Sequence, residues 1–150
     1  MEQTNYYRKH YIEIDSLQTR ELSLLLSFIW KESLDKDVWS EIKDMNSRYF
    51  ISSEGRVLSL CLDGYKLIRP FISGDGYYYV DLRKDGKDQK CGVHRLVAKA
   101  FLDNPENKPI VHHKDTDRKN NKVTNLQWTT QEEHTAAHLK INKERNNLLS

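Results

Sequence analysis

The stretch that most constrains this chain runs from Ile110 to His138, IVHHKDTDRKNNKVTNLQWTTQEEHTAAH. Its apolar opening, Ile110-Val111, reads as a strand that delivers two adjacent histidines, His112 and His113. A polar loop follows, and Asn125 to Thr129 reads as a second short strand. Thr130 with Glu133 three residues later gives the capping-box pattern T-x-x-E, which predicts a helix from that point. On that helix His134 and His138 are four residues apart and project from one face. The predicted unit of strand, loop, strand and helix gathers three or four imidazoles and one carboxamide around a point. Neighbours along a strand point to opposite faces, so His112 and His113 share a site only if the strand twists or ends there. A break in the strand is therefore predicted at these residues. Five of the six histidines fall between His94 and His138, a clustering that argues against scattered surface residues.

This arrangement resembles the HNH nuclease motif, the ββα-metal fold. The match is His113, Asn125 and His134 in order, within V-H-H-x-D-x-D-x-x-N-N-x-x-x-N-L-x-W. The resemblance implies that His113 is the general base and that Asn125 holds its ring. It implies that His112 and His134 are metal ligands, and that His138 is the second histidine of the H-x-x-x-H pair of bacterial toxin nucleases. In relatives the first ligand is often Asp and the last often Asn, so this chain would be a histidine-rich version. The usual Asp-Gly of the loop is Asp115-Thr116 here, a departure in the turn. One divalent cation is implied, with Mg2+ expected first and Mn2+, Zn2+ or Ni2+ as alternatives.

The chemistry stands without the name. A phosphodiester is anionic and its alkoxide leaves poorly, so hydrolysis needs a nucleophilic water and positive charge on the departing oxygen. Imidazole titrates near neutrality, so His113 can take a proton from water at cellular pH. A cation held by His112 and His134 can polarise the phosphoryl oxygen. A side-chain amide can orient the base without adding charge. A structural zinc site is the bland alternative, but it would normally use cysteine thiolates, and Cys61 and Cys91 lie outside the stretch.

A chain of 150 residues suits one compact domain, or one with an appendage. Apolar residues make up 37% and charged residues 31%, which fits a thinly cored nucleic-acid protein better than a deep-pocket metabolic enzyme. The net charge of +2 is uneven: residues 1–82 carry −3 and residues 83–150 carry +5. The basic surplus thus accompanies the histidine cluster, as a phosphate-facing half requires. No signal peptide and no membrane-length apolar run are visible, and two cysteines without a framework read as free thiols, so a cytoplasmic location is expected.

In chain order, Tyr6, Tyr7, Tyr11, Ile12 and Ile14 suggest a short strand or an arm. Ser16 is placed to cap a helix over residues 17–34, with Leu22, Leu25, Leu26 and Ile29 as its apolar stripe, for packing on the next sheet or on a partner. Strands are predicted over 48–52 and 56–60 around a Ser53–Gly55 turn, then over 66–72, 77–82 and 89–93, with turns at 74–76 and 83–87. The pattern W-x-x-I…Y-x-I-S-x-x-G-R-V-x-S resembles the small module that often precedes HNH motifs in phage and intron-borne homing endonucleases, and implies a β-rich DNA-contacting unit. A helix is predicted over His94–Phe101, ended by Asn104-Pro105. Its V-H-R-L-V-A-x-A-F run again resembles the homing family, and His94 reads as structural, holding a backbone group near the helix start. The tail from Leu139 is predicted to fray. Relatives often add a DNA-reading helix module there, for which a dozen residues leave no room, so a looser sequence preference is expected.

The fold class predicted is α+β: an N-terminal arm and helix (1–36), a small antiparallel β module (37–92), the ββα-metal motif (93–140) and a polar tail (141–150). The function expected from the resemblance is a metal-dependent endonuclease acting on double-stranded DNA, nicking as a monomer and cutting both strands as a homodimer. Arg48, Arg56, Arg83, Lys84, Arg95, Lys114, Arg118 and Lys119 are the candidate phosphate contacts. The competing class is a non-catalytic DNA-binding protein descended from such a nuclease, which would bind DNA regardless of chelator.

Overall fold

A computed structural model describes residues 19–31, 36–61 and 64–149. Helix α1 (Thr19–Lys31) is followed by an antiparallel meander of β1 (Trp39–Glu41), β2 (Tyr49–Ser52), β3 (Val57–Cys61) and β4 (Gly64–Ile68). Period-two alternation explains why all of β2 is buried. Phe50 and Leu58 face α1, forming a cluster with Leu25, Ile29, Trp39 and Tyr65. Tyr49, Ile51 and Val57 face the other way, into the main core. Each fully buried Leu, Ile or Phe here contributes roughly 1.5–3 kcal/mol. The expected stripe on α1 holds for Leu25 and Ile29, with Leu26 half-buried. The Tyr6–Ile14 segment, the Ser16 cap, both predicted helix ends and the Leu22 side chain lie outside the described residues.

The single strand expected over 66–72 is two. β4 pairs with β3, while β5 (Phe71–Ile72) joins a second sheet with β6 (Tyr78–Lys84) and β7 (Lys87–Gly92). Pro70 lies at the break; it has no N–H to donate to a ladder. The turn expected over 83–87 is tighter. Asp85 (φ 51°) and Gly86 (φ 77°) make a two-residue Asp-Gly hairpin turn, and Arg83, Lys84 and Lys87 are strand residues.

β7 runs directly into α2 (Val93–Phe101), whose Val93, Val97 and Ala98 are buried. Then come β8 (Ile110–His113), a loop, a 3₁₀ turn (Val123–Asn125), β9 (Leu126–Thr129) and α3 (Gln131–Leu149). The main core joins Ile42, Tyr49, Ile51 and Val57 to Val80, Leu82, Val93, Val97, Val111 and Leu126, so it crosses the boundary drawn at 92/93. The polar tail expected over 141–150 does not fray as predicted: α3 stays helical through Leu149, although residues 142–148 are exposed. No helix among the described residues is long and apolar enough to cross a membrane.

Candidate functional site

The strand does not break before the histidines. β8 pairs with β9 in register through His112↔Gln127 and His113↔Leu126, so strand alternation sends the two imidazoles to opposite faces. Three imidazoles therefore gather at one point, and the fourth stands across the strand. His112 meets His134 and His138, with ring centroids 5.4 and 5.9 Å away. One donor atom from each of the three lies within 4.8 Å of the others, and the Nε2 atoms of His134 and His138 are 3.2 Å apart. Metal–imidazole bonds are about 2 Å long, so three lone pairs at this spacing fit one cation. Burial, then the neighbouring histidines, lower the pKa of His112; burial, then His138, lower that of His134. Both effects favour the neutral rings that a metal requires.

The helix that supplies His134 and His138 begins as the capping box predicts. Thr130 Oγ1 accepts from Glu133 N–H at 3.2 Å, and Glu133 Oε2 accepts from Thr130 N–H at 3.0 Å. Lys108 Nζ adds an ion pair to Glu133 at 3.0 Å, tying the segment before β8 to α3.

His113 is buried, and its Nε2 is 2.8 Å from Asn121 Oδ1. A carboxamide oxygen only accepts, so Nε2 carries the proton and Nδ1 keeps the basic lone pair. Asn121 is the residue that the sequence reading missed. Asn125, expected to hold the ring, instead fastens the loop. Its Nδ2 donates to Asp115 Oδ1 (2.9 Å) and to the Asn120 carbonyl (2.8 Å), and its Oδ1 accepts from Asp115 N–H (3.1 Å). The reason is geometric. Asn125 ends the 3₁₀ turn just before β9 and faces the inside of the loop, whereas Asn121 reaches the His113 edge of the strand. Bonds from Asn120, Asn125 and the Asp117 N–H hold the Asp115 carboxyl below the usual carboxylate range. Thr116 takes φ 64°, the left-handed conformation that glycine adopts more readily.

The β2–β3 turn buttresses this loop. Ser53 O accepts from Val123 N–H at 2.8 Å. Gly55, at φ 84°, lies where a Cβ would come 3.0 Å from Asn121 Cβ. His94 does not hold a backbone group as expected: its Nδ1 is buried without a hydrogen-bond partner among the described residues.

Residues 91–136 match the HNH endonuclease family. This segment is an HNH endonuclease motif. The chain is 40% identical over 93 residues to DNA endonuclease I-HmuI of Bacillus phage SP01, covering 62% of this chain and 52% of that protein. It is 36% identical over 118 residues to an uncharacterized HNH endonuclease, L245, of Acanthamoeba polyphaga mimivirus, covering 75% of this chain and 34% of the relative. H-N-H endonuclease F-TflII of Escherichia phage T5 is 34% identical over 88 residues, 57% of this chain and 45% of that one. A solved structure described as DNA binding and cleavage by the HNH homing endonuclease I-HmuI superposes with a TM-score of 0.64 at 36% identity, over 69% of this chain and 59% of that one. The chain thus spans about half, or less, of the length of these curated relatives. HNH endonucleases generally use a divalent metal.

The basic residues expected at DNA differ in the contacts they already make around this HNH site. Arg118 donates to the Asp75 carbonyl and lies 4.9 Å over the Tyr77 ring. Arg95 donates to the Pro109 carbonyl at 2.9 Å and lies 5.7 Å over Trp128. Both brace the fold. Arg56 lies 3.5 Å from Asp37, Arg83 bonds Asp88 and the Gly86 carbonyl, and Lys114 reaches the Thr124 carbonyl at 3.4 Å. Arg48 and Lys119 are exposed and Lys84 is half-buried.

Proposed function

We propose that this chain is a metal-dependent DNA endonuclease that hydrolyses phosphodiester bonds. The observation that carries the reading is the three-imidazole cluster on one side of β8, with the next residue, His113, presenting a free Nδ1 from the other. The family match and the DNA endonucleases among the relatives support it.

His112, His134 and His138 are the residues that would hold a divalent ion. Once bound, the ion supplies Lewis acidity to the phosphoryl and departing oxygens. Its identity follows from the donors. Imidazole nitrogens suit Zn2+ or Ni2+, while Mg2+ prefers oxygen and this trio offers none. A transition ion therefore stands ahead of the Mg2+ expected from the resemblance. His113 Nδ1 takes the proton of a water. The resulting hydroxide attacks phosphorus, the opposite P–O bond breaks, and the departing alkoxide takes a proton from solvent water. Asn121 keeps Nε2 protonated, so that Nδ1 is the nitrogen that receives the proton. The exposed Arg48, Arg83, Lys114 and Lys119 and the half-buried Lys84 contribute phosphate contacts. One site cuts one strand, so a monomer nicks and a double-strand break needs two copies or two events.

Supercoiled plasmid incubated with the purified chain and Zn2+, Ni2+, Mn2+ or Mg2+ tests this. Relaxed product is expected with the wild type, its loss with His113→Ala, and a gel shift retained by the variant. Supercoiled DNA left intact in every metal would refute the nuclease assignment. Chelator-insensitive binding alongside that result would identify a DNA-binding protein without catalysis.

A further inference from the structure

Tyr77 and His94 have no role in the chemistry above, yet both rings lie against the base. Tyr77, just before β6, stacks on His94 of α2 with centroids 4.7 Å apart and planes 29° apart. Tyr77 is 5.6 Å from the His113 ring, and His94 is 5.4 Å from it. Arg118 covers Tyr77 from outside. Gly92 leaves space for His94, since a Cβ there would lie 3.0 Å from its Cε1. Among the described residues the buried His94 Nδ1 has no hydrogen-bond partner. Burial, with a smaller push from His113, lowers the His94 pKa to about 4, so the ring is neutral at cellular pH.

A hydrogen bond to one ring nitrogen leaves the imidazole free to turn about that bond. Asn121 chooses which edge of His113 faces inward but does not fix its plane. Two aromatic rings against the same imidazole do fix it. We propose that Tyr77 and His94 are positioning residues that lock the ring plane of His113, so that the catalytic site is incomplete without the β module that supplies Tyr77. This rests on the nuclease reading above. Tyr77 lies outside the segment matched by the family, so residues 91–136 alone would lack half of this wall.

The test compares Tyr77→Ala, Tyr77→Phe and His94→Ala in the full chain, by single-turnover cleavage, DNA affinity and Zn2+ affinity. Misaligning a reacting group by about an ångström can slow chemistry roughly 100-fold. Tyr77→Ala and His94→Ala are expected to slow cleavage by about 10–100-fold, with DNA and metal affinities within about twofold of wild type. Tyr77→Phe, which keeps the ring, is expected to restore the rate to within about threefold. The His113 ring protons should show ring-current shifts by NMR that Tyr77→Ala loses and Tyr77→Phe keeps, a change that general loosening would not produce selectively. Should His94→Ala fail to fold, the Tyr77 pair decides. Wild-type rates in Tyr77→Ala, or a Tyr77→Phe as slow as the alanine variant, would overturn the proposal while leaving the nuclease reading intact. A wild type silent in every metal would overturn both.

Discussion

Asn121 and Asn125 are four residues apart, both buried, and their partners decide what each loss does. Asn125→Ala leaves the Asp115 N–H and the Asn120 carbonyl without their carboxamide partner, and removes one donor from the Asp115 carboxylate. It is expected to destabilise the fold by about 1–3 kcal/mol, read as a lowered thermal midpoint. Asn121→Ala removes the hydrogen bond to His113 Nε2. It is expected to cut the cleavage rate at least about tenfold while Zn2+ affinity, measured by calorimetry, stays within about twofold. Normal cleavage by Asn121→Ala would deny it the orienting role. The histidines were legible because their spacings are those of a strand pair and one helix face. The asparagines were not. The run N-N-x-x-x-N offers three carboxamides, and only burial and the 3₁₀ turn decide which one turns toward His113 and which toward the loop.

The start of α3 is the element whose chemistry could be read most directly, because a capping box is local and its donors and acceptors are fixed by sequence. Thr130→Ala is expected to cost about 1 kcal/mol in thermal or denaturant unfolding. Because His134 sits in that first turn, the same variant should weaken Zn2+ binding, which calorimetry would register. The pH dependence has a definite sign. The Thr130 N–H, then Lys108 and Thr129, hold the Glu133 carboxyl below its ordinary range. Its contribution is therefore full above the ordinary carboxylate pKa and is lost as pH falls through the lowered one. Glu133→Gln should flatten that acid limb, and an unchanged limb would count against the box. Where the chain needs distant partners, elements were less legible. Lys66–Ile72 looks like one strand until Pro70 divides it between two sheets. The second half of α3 has no apolar face to announce a helix, yet it continues the turns begun at Thr130.

A modest apolar fraction suggested a thin core, and periodicity could not reveal how many faces each strand would bury. Tyr49-Phe50-Ile51 is a continuous apolar run, which marks a strand covered on both sides without saying by what. The structure answers that α1 covers one side and that the other opens into a core continuous with the HNH strands through Val111 and Leu126. The hairpin of β6 and β7 adds a polar link, since Tyr49 Oη accepts from Arg83 N–H at 2.9 Å. Two units that share buried side chains in this way cannot unfold independently without exposing the common face. The region from β1 to α3 is therefore expected to melt in one transition rather than in steps divided at residue 92. Leu82→Ala tests the coupling. Leu82 is fully buried in β6, in the same core as Val111 of β8, and truncating it should cost about 2–5 kcal/mol. Far-UV circular dichroism, calorimetry and the histidine NMR signals should shift together by the same amount. A β module that loses structure while the His112, His134 and His138 signals hold their original midpoint would show two separable bodies, and would remove the physical basis for a base aligned from outside its own motif.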